Sequence, residues 1–361
     1  MADAAIDILG LDSVIFVEEA RQAGVPRTDA LAIYRRAFRE GLVGDTRIAL
    51  RELAEVRSLD EGVTRKLALA LEDGLEVETV ILPQQSKSGR WRSTLCVSSQ
   101  VGCAMGCGFC ETAQMGLLRR LSAGEIVAQW WAARWRHDAS ISNIVFMGMG
   151  EPLDNVEAVI GAIRVLADQN GPAVAPSRVS VSTVGRTKGI ERLSELAREP
   201  GFRQLRLAVS VNAPNDDIRS QIMPINRAEP MADLMDAMLA WPGPERTRIL
   251  IEYVLIPGVN DAFEHADELA EYLRPLRCTV NVIPYNPRRD SPWPAATPED
   301  ADRFVARLEA AGQFTRRRRT FGRSVMGACG QLGNPGVRRR RFVDLGAPTA
   351  ENAASSEAAS P

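Results

Sequence analysis

Cys103, Cys107 and Cys110 fall in the run CAMGCGFC, spaced C-x3-C-x2-C, in a chain with only six cysteines. Three soft thiolates on one short loop suit a metal or an iron–sulfur cluster. Gly102, Gly106 and Gly108 free the backbone to wrap around such a group. A closed [4Fe–4S] site takes four cysteines, so three would leave one iron open to another ligand. Zinc is the first rival. Its structural sites usually come as two C-x2-4-C pairs, and no second pair exists here. Three unrelated buried thiols so close together would be a poor coincidence.

Other segments carry complementary polar groups: GMGEP (148–152), SVSTVG (180–185), SVNAPND (210–216) and VIPYNP (282–287). Each alone reads as an ordinary loop after a strand. Together they offer backbone amides, small hydroxyls, a carboxylate and carboxamides. A ligand with an amino group, a carboxylate and a ribose needs that set. Cys96 lies just upstream of the triplet, and Cys329 sits between Gly327 and Gly330 on a segment flexible enough to enter a site. Cys278 has no such setting and reads as a packing thiol.

The elements that must position these residues alternate. Strands are expected at Thr94–Ser98, Asn143–Met147, Arg178–Ser182, Leu205–Val211, Ile249–Leu255 and Thr279–Pro284, mostly apolar on both faces as buried parallel strands are. Helices are expected at Ala123–Arg136 (behind a Ser122/Glu125 capping box), Val156–Ala167, Lys188–Arg198, Met231–Ala240, Glu264–Arg274 and Pro298–Ala311. This predicts an α/β fold, a partial (β/α)6 barrel over residues 77–345, with its chemistry at the C-terminal strand ends. Residues 1–76 read as a small helical accessory domain. Ala30–Glu40 stops at Gly41, and a Ser58/Glu61 box precedes VTRKLALALEDG. Val77–Leu82 alternates like a strand, QQSKSGRWR is a turn-rich connector, and 346–361 is a small, polar, disordered tail.

Composition bounds the class. At 45% hydrophobic and 25% charged, the 361 residues are ordinarily globular. The net charge of −2 hides basic runs at Arg316–Arg319 and Arg338–Arg341, which suit phosphates or solvent equally. Trp130–Trp131 fits packing better than base stacking. No stretch approaches 18 apolar residues, and MADAAIDILGLDS lacks the features of a signal peptide. A cytoplasmic protein with reduced thiols is expected.

The runs TLCVSSQVGCAMGCGFCETAQMG, FMGMGEPLDN, SVNAPNDDIRSQIMPIN, IEYVLIPGVND, VIPYNP and ACGQL resemble the radical-SAM adenine-C2 methyltransferases of 23S ribosomal RNA, a family that includes related C8 methyltransferases. The resemblance spans about residues 30–333. It implies a radical-SAM barrel, a [4Fe–4S] cluster on Cys103, Cys107 and Cys110, and S-adenosylmethionine (SAM) bound by Gly150, Glu151, Ser182, Ser210, Val211, Asn212 and Asn286. It implies that Cys329 accepts a methyl group, that a 5′-deoxyadenosyl radical takes hydrogen from it, and that Cys96 resolves the RNA adduct by a disulfide with Cys329. Glu78 stands at the family's proton acceptor. An RNA substrate (23S rRNA, with tRNA a further target), an electron donor such as flavodoxin or ferredoxin, and a monomer are implied.

The chain departs from the family pattern at three places. Asn212 replaces a usual His, Glu111 replaces a Ser, and GRSVMG (322–327) replaces an acidic stretch. The last opens a second reading, methylation of another sp2 carbon, either adenine C8 or a small heteroaromatic. A non-enzymatic iron–sulfur or zinc RNA-binding protein is the reading from another class; the presence of Cys96, Cys329 and Glu78 weighs against it.

Overall fold

The computed structural model describes residues 5–85, 89, 91–243 and 247–337. Arg338–Arg341 and the 346–361 tail lie outside the described residues. Two helices come first, α1 (Ser13–Gln22) and α2 (Arg27–Glu40). Asp12 caps α1 by accepting from the Val14 and Ile15 amides, and α2 stops at the left-handed Gly41, as its sequence predicts.

The helical reading of residues 58–74 is overturned. β1 (Ala54–Glu61), β2 (Thr64–Ala70) and β3 (Glu76–Gln85) form an antiparallel ribbon, with Ser58 and Glu61 on β1. The alanine- and leucine-rich run favours a helix locally, but tertiary burial decides. Along β2, Leu67 and Leu69 enter the main apolar core while Lys66 is also buried, so both faces of the strand are covered.

Seven parallel strands continue the sheet: β4 (Trp91–Cys96), β5 (Ile141–Phe146), β6 (Val179–Thr183), β7 (Arg206–Ser210), β8 (Ile249–Leu255), β9 (Cys278–Pro284) and β10 (Thr315–Arg317). β3 pairs antiparallel with β4, and all ten strands lie side by side in chain order. Stepping in one direction is how a barrel winds, and here the sheet stays open. The six expected strands are present within two or three residues at each end. β10, inside the basic run, has no apolar pattern to announce it.

Helices cover the outer face: α3 (Glu111–Met115), α4 (Ala123–Trp131), α5 (Val156–Ala167), α6 (Thr187–Arg198), α7 (Asp216–Ile222), α8 (Met231–Leu239), α9 (Phe263–Tyr272) and α10 (Pro298–Ala310). α4 starts at the expected Ser122/Glu125 box and continues as a wider π turn over Ala132–Arg136. Trp130 and Trp131 are packing residues: both rings lie 6.0 Å from that of Phe38 on α2. One buried cluster therefore runs from α1 and α2 into the barrel. No helix among the described residues is long and apolar enough to cross a membrane.

Phe38 is the main link between the N-terminal helices and α4. Phe38→Ala should cost about 3–5 kcal/mol, seen as a lower urea midpoint. An unchanged midpoint would mean that the helices add nothing to barrel stability.

Candidate functional site

Past Cys96 the chain turns into Gln100–Gly102, which pairs antiparallel with Leu117–Arg120 and closes a loop around the three cysteines. The Cys103 amide donates to Gly116 O at 3.0 Å. Gly102 has φ +76°, and a Cβ there would lie 1.8 Å from Gly116 O, so only glycine fits this closure. Cys103, Cys107 and Cys110 then line one cleft of about 1030 Å³ at the C-terminal strand ends. Gly150, Glu151, Ser182, Ser210, Asn212 and Asn286 line it too. Val211 does not. It is fully buried, and its carbonyl accepts from Arg219 Nε at 3.1 Å.

Burial pushes all three thiols upward, and their mutual repulsion adds to this for Cys103 and Cys107. Such thiols ionise readily only beside a cationic metal centre. Among the described residues, no three His, Cys, Asp or Glu side chains gather as tightly as one ion requires. A cluster that offers each thiolate its own iron fits this spacing better than a single zinc ion. Glu151 is the cleft's buried carboxyl. Burial raises it to about 7, against the pull of the Val184 and Leu153 amides that donate to it at 2.9 and 3.0 Å. A cationic amino group is the partner this acid lacks.

Two of the sequence departures find partners. Glu111 is buried, with its carboxylate held by the Arg289 amide and guanidinium, both at 3.1 Å. Asn212 has φ +57°, a region asparagine tolerates better than most residues. Its Oδ1 accepts from the Val254 amide at 2.8 Å and its Nδ2 faces Met223 Sδ, so the side chain ties β8 to the loop after β7.

Cys329 lines the large cleft and also a second pocket of about 540 Å³ that holds Cys96. Burial pushes the Cys96 thiol up to about 12. Cys329 adds to the rise and Arg318 opposes it. Arg318 lines both cavities and pairs with Glu252 at 3.3 Å. Cys278, at the start of β9, touches neither cavity and has only Gln313 Oε1 at 3.8 Å, in keeping with a packing role.

The Cys329 segment contains no helix or strand between Phe321 and Asn334, yet it is stitched on two sides. On the cysteine-loop side, the Glu111 amide donates to Gly330 O at 2.7 Å and Thr112 Oγ1 to Leu332 O at 2.5 Å. On the ribbon side, Lys66 Nζ donates to Met326 O at 3.2 Å, and Glu78 Oε2 accepts from the Gly333 amide at 2.9 Å. Lys66 and Glu78 form a buried ion pair at 3.0 Å. Glu78, expected to accept a proton, therefore lines neither cavity. Glu61 accepts from the Gly322 amide at 3.0 Å and from the Ser324 amide and hydroxyl. The GRSVMG departure thus meets a carboxylate that an acidic stretch would repel.

Sequence reasoning missed Arg318 as an individual residue, along with Glu252, Lys66 and the buried Arg219. Arg219 ties Val184 O and Val211 O together, at 2.5 and 3.1 Å. Arg318 sat in a run that reads as solvated charge. Lys66 sat in the segment read as a helix, where its burial has no signal.

Comparison with known proteins agrees with this geometry. The Radical SAM superfamily profile matches residues 97–273. A probable dual-specificity RNA methyltransferase RlmN of Moorella thermoacetica is 44% identical over 82% of this chain and 83% of its own. A probable RNA methyltransferase of Sorangium cellulosum is 50% identical over 78% and 68%. The crystal structure of a radical SAM methyltransferase from Sphaerobacter thermophilus superposes with a TM-score of 0.83 at 39% identity, covering 91% of this chain and 99% of that one. The chain belongs to the RlmN family of radical SAM methyltransferases.

Proposed function

We propose that this protein methylates C2 of adenine in RNA, in 23S ribosomal RNA and in transfer RNA, through a methyl-cysteine at Cys329. One observation carries the reading: Cys329 borders both the cleft of the three cysteines and the pocket of Cys96. A radical SAM protein of this family takes a [4Fe–4S] cluster and SAM. The residues fit them, with three buried thiols for the iron and the Glu151 carboxyl for the SAM amino group. Once bound, the pair supplies a methyl group and a hydrogen-abstracting radical. Adenine C2 is not nucleophilic, so polar transfer straight to it is closed, and a carbon held on a protein sulfur offers the alternative.

Within that scheme, Cys329 Sγ accepts the methyl group and holds the carbon against the base. Cys96, in the same pocket, forms the disulfide that releases the adduct. Arg318 balances negative charge on this thiol pair, since Cys329 and Glu252 hold its guanidinium firmly protonated against burial. For Glu78 we propose a positioning role, because its carboxylate is committed to Lys66 and to the Gly333 amide. The electron comes from a one-electron carrier such as flavodoxin or ferredoxin, and the enzyme works as a monomer in the cytoplasm.

Cys329→Ala should abolish transfer of labelled methyl from SAM to RNA, and Cys96→Ala should trap a protein–RNA adduct that survives a denaturing gel. Normal turnover by both variants would refute the methyl-cysteine route.

Lys66→Met leaves Glu78 buried and alone, a change that costs about 3–5 kcal/mol. It should also speed alkylation of Cys329 by iodoacetamide. An unchanged alkylation rate would mean that the pair does not hold the loop.

Glu151 gives a pH signature in cofactor-free protein. The folded state holds its proton more tightly than the unfolded chain, so stability is complete below pH 4.5 and falls as pH rises to about 7. Glu151→Gln should remove about 3 kcal/mol of that fall, measured by urea unfolding across the range. Parallel profiles for the two proteins would contradict a desolvated carboxyl.

A further inference from the structure

The cluster cleft opens at the C-terminal strand ends, but the thiol pocket also leads the other way. It shares Leu82, Val145 and Phe321 with an outer cleft of about 1650 Å³. That cleft runs toward the N-terminal strand ends. Arg178 just before β6, Arg206 at the start of β7, and Arg318 and Arg319 after β10 line it. A further cleft continues from it through the shared Ser177 and Arg206 to Arg248 and Arg316. No Asp or Glu lines either cleft among the described residues. In a chain of net charge −2 this is a marked local excess of positive charge.

Two further features give the groove a chemistry. Arg206 and Arg319 are exposed and have no ion pair among the described residues, so their charge is open to a ligand. Trp91 and Phe321 line the same cleft with their rings 52% and 39% exposed. Exposed aromatics beside unpaired arginines suit the bases and phosphates of a single strand. The basic run itself divides. Arg317 points elsewhere and pairs with Asp302 at 3.1 Å, while Arg316, Arg318 and Arg319 face the clefts.

Resting on the RNA methyltransferase reading above, we propose that this arginine groove is the track for single-stranded RNA, which enters from the N-terminal ends of the strands, opposite the cluster. Arg206 and Arg319 hold phosphates. Trp91 and Phe321 stack on bases flanking the target. The target adenine leaves its stack and passes beside Arg318 into the pocket of Cys96 and Cys329. The cluster and the nucleic acid thus approach Cys329 from opposite sides, and neither has to leave for the other to reach it.

The test measures binding of a fluorescent RNA hairpin with an adenine in its loop to the anaerobic holoenzyme over a salt series. Each lost phosphate contact lowers the slope of log affinity against log salt by about 0.9. Arg206→Gln with Arg319→Gln should therefore reduce the slope by about two, and the matching lysine pair should restore it. Trp91→Ala with Phe321→Ala should weaken binding about tenfold or more with the slope unchanged. Arg317→Gln should bind as the parent does. Thermal melting and the cluster's visible absorbance confirm that each variant is folded and loaded. Suppose the parent binds and methylates RNA, but the arginine pair behaves like the parent or no differently from Arg317→Gln. The groove assignment is then wrong and the enzyme reading stands. A parent that neither binds nor methylates RNA overturns both.

Discussion

The placement of one sulfur governs the rest of this structure. Cys329 must border two cavities at once, and it lies on a segment without helix or strand. Nothing local can hold it, so its position is imposed by hydrogen bonds from chain as far away as Lys66, 260 residues from its partner Met326. Such long-range closures are costly in entropy and need strong anchors. The anchors here are backbone amides at the start of α3, a buried ion pair and a carboxylate on the ribbon. Anchoring to α3 has a further effect. The residue after Cys110 donates directly to Gly330 O, so the cluster loop and the methyl-accepting loop are fixed to each other.

Charge is arranged around that sulfur with the same economy. The three cluster thiols and Glu151 are desolvated and want cations, which iron and an amino group provide. Cys96 and Cys329 have a resident cation instead, Arg318, itself restrained by Glu252. One end of the barrel is therefore electrostatically incomplete until cofactors bind, while the thiol pair is already compensated by the protein. This division matches the tasks: the first site receives ligands, and the second must keep two thiols chemically available next to each other.

Much of this was legible in sequence because it rests on local signals. The cysteine spacing, the glycines that permit the loop, the apolar parallel strands and the Ser122/Glu125 box each act within a few residues. The segments after the strands were correctly brought to one rim. What was hidden depends on packing between distant elements. The run from Val63 to Gly74 has the composition of a helix, and only burial of both faces makes it a strand. Val211 belongs to a motif whose neighbours line the cleft, yet its own side chain faces the core. Glu78 looks like a free acid until Lys66 is seen beside it. Arg318 cannot be told from Arg317 without knowing which side of the chain faces inward.

The ribbon has one more consequence. By pairing with β4, it moves the sheet's free edge away from the barrel strands and onto β1, whose residues are nearly all exposed. An unpaired edge invites another chain to add itself as a further strand. β1 is ill suited to that. It carries Glu55, Arg57, Asp60 and Glu61, and its pairing register breaks between Glu55 and Arg57. Charge and an irregular hydrogen-bond ladder together discourage intermolecular strand addition, so the hairpin that anchors Cys329 also keeps an open ten-stranded sheet from polymerising.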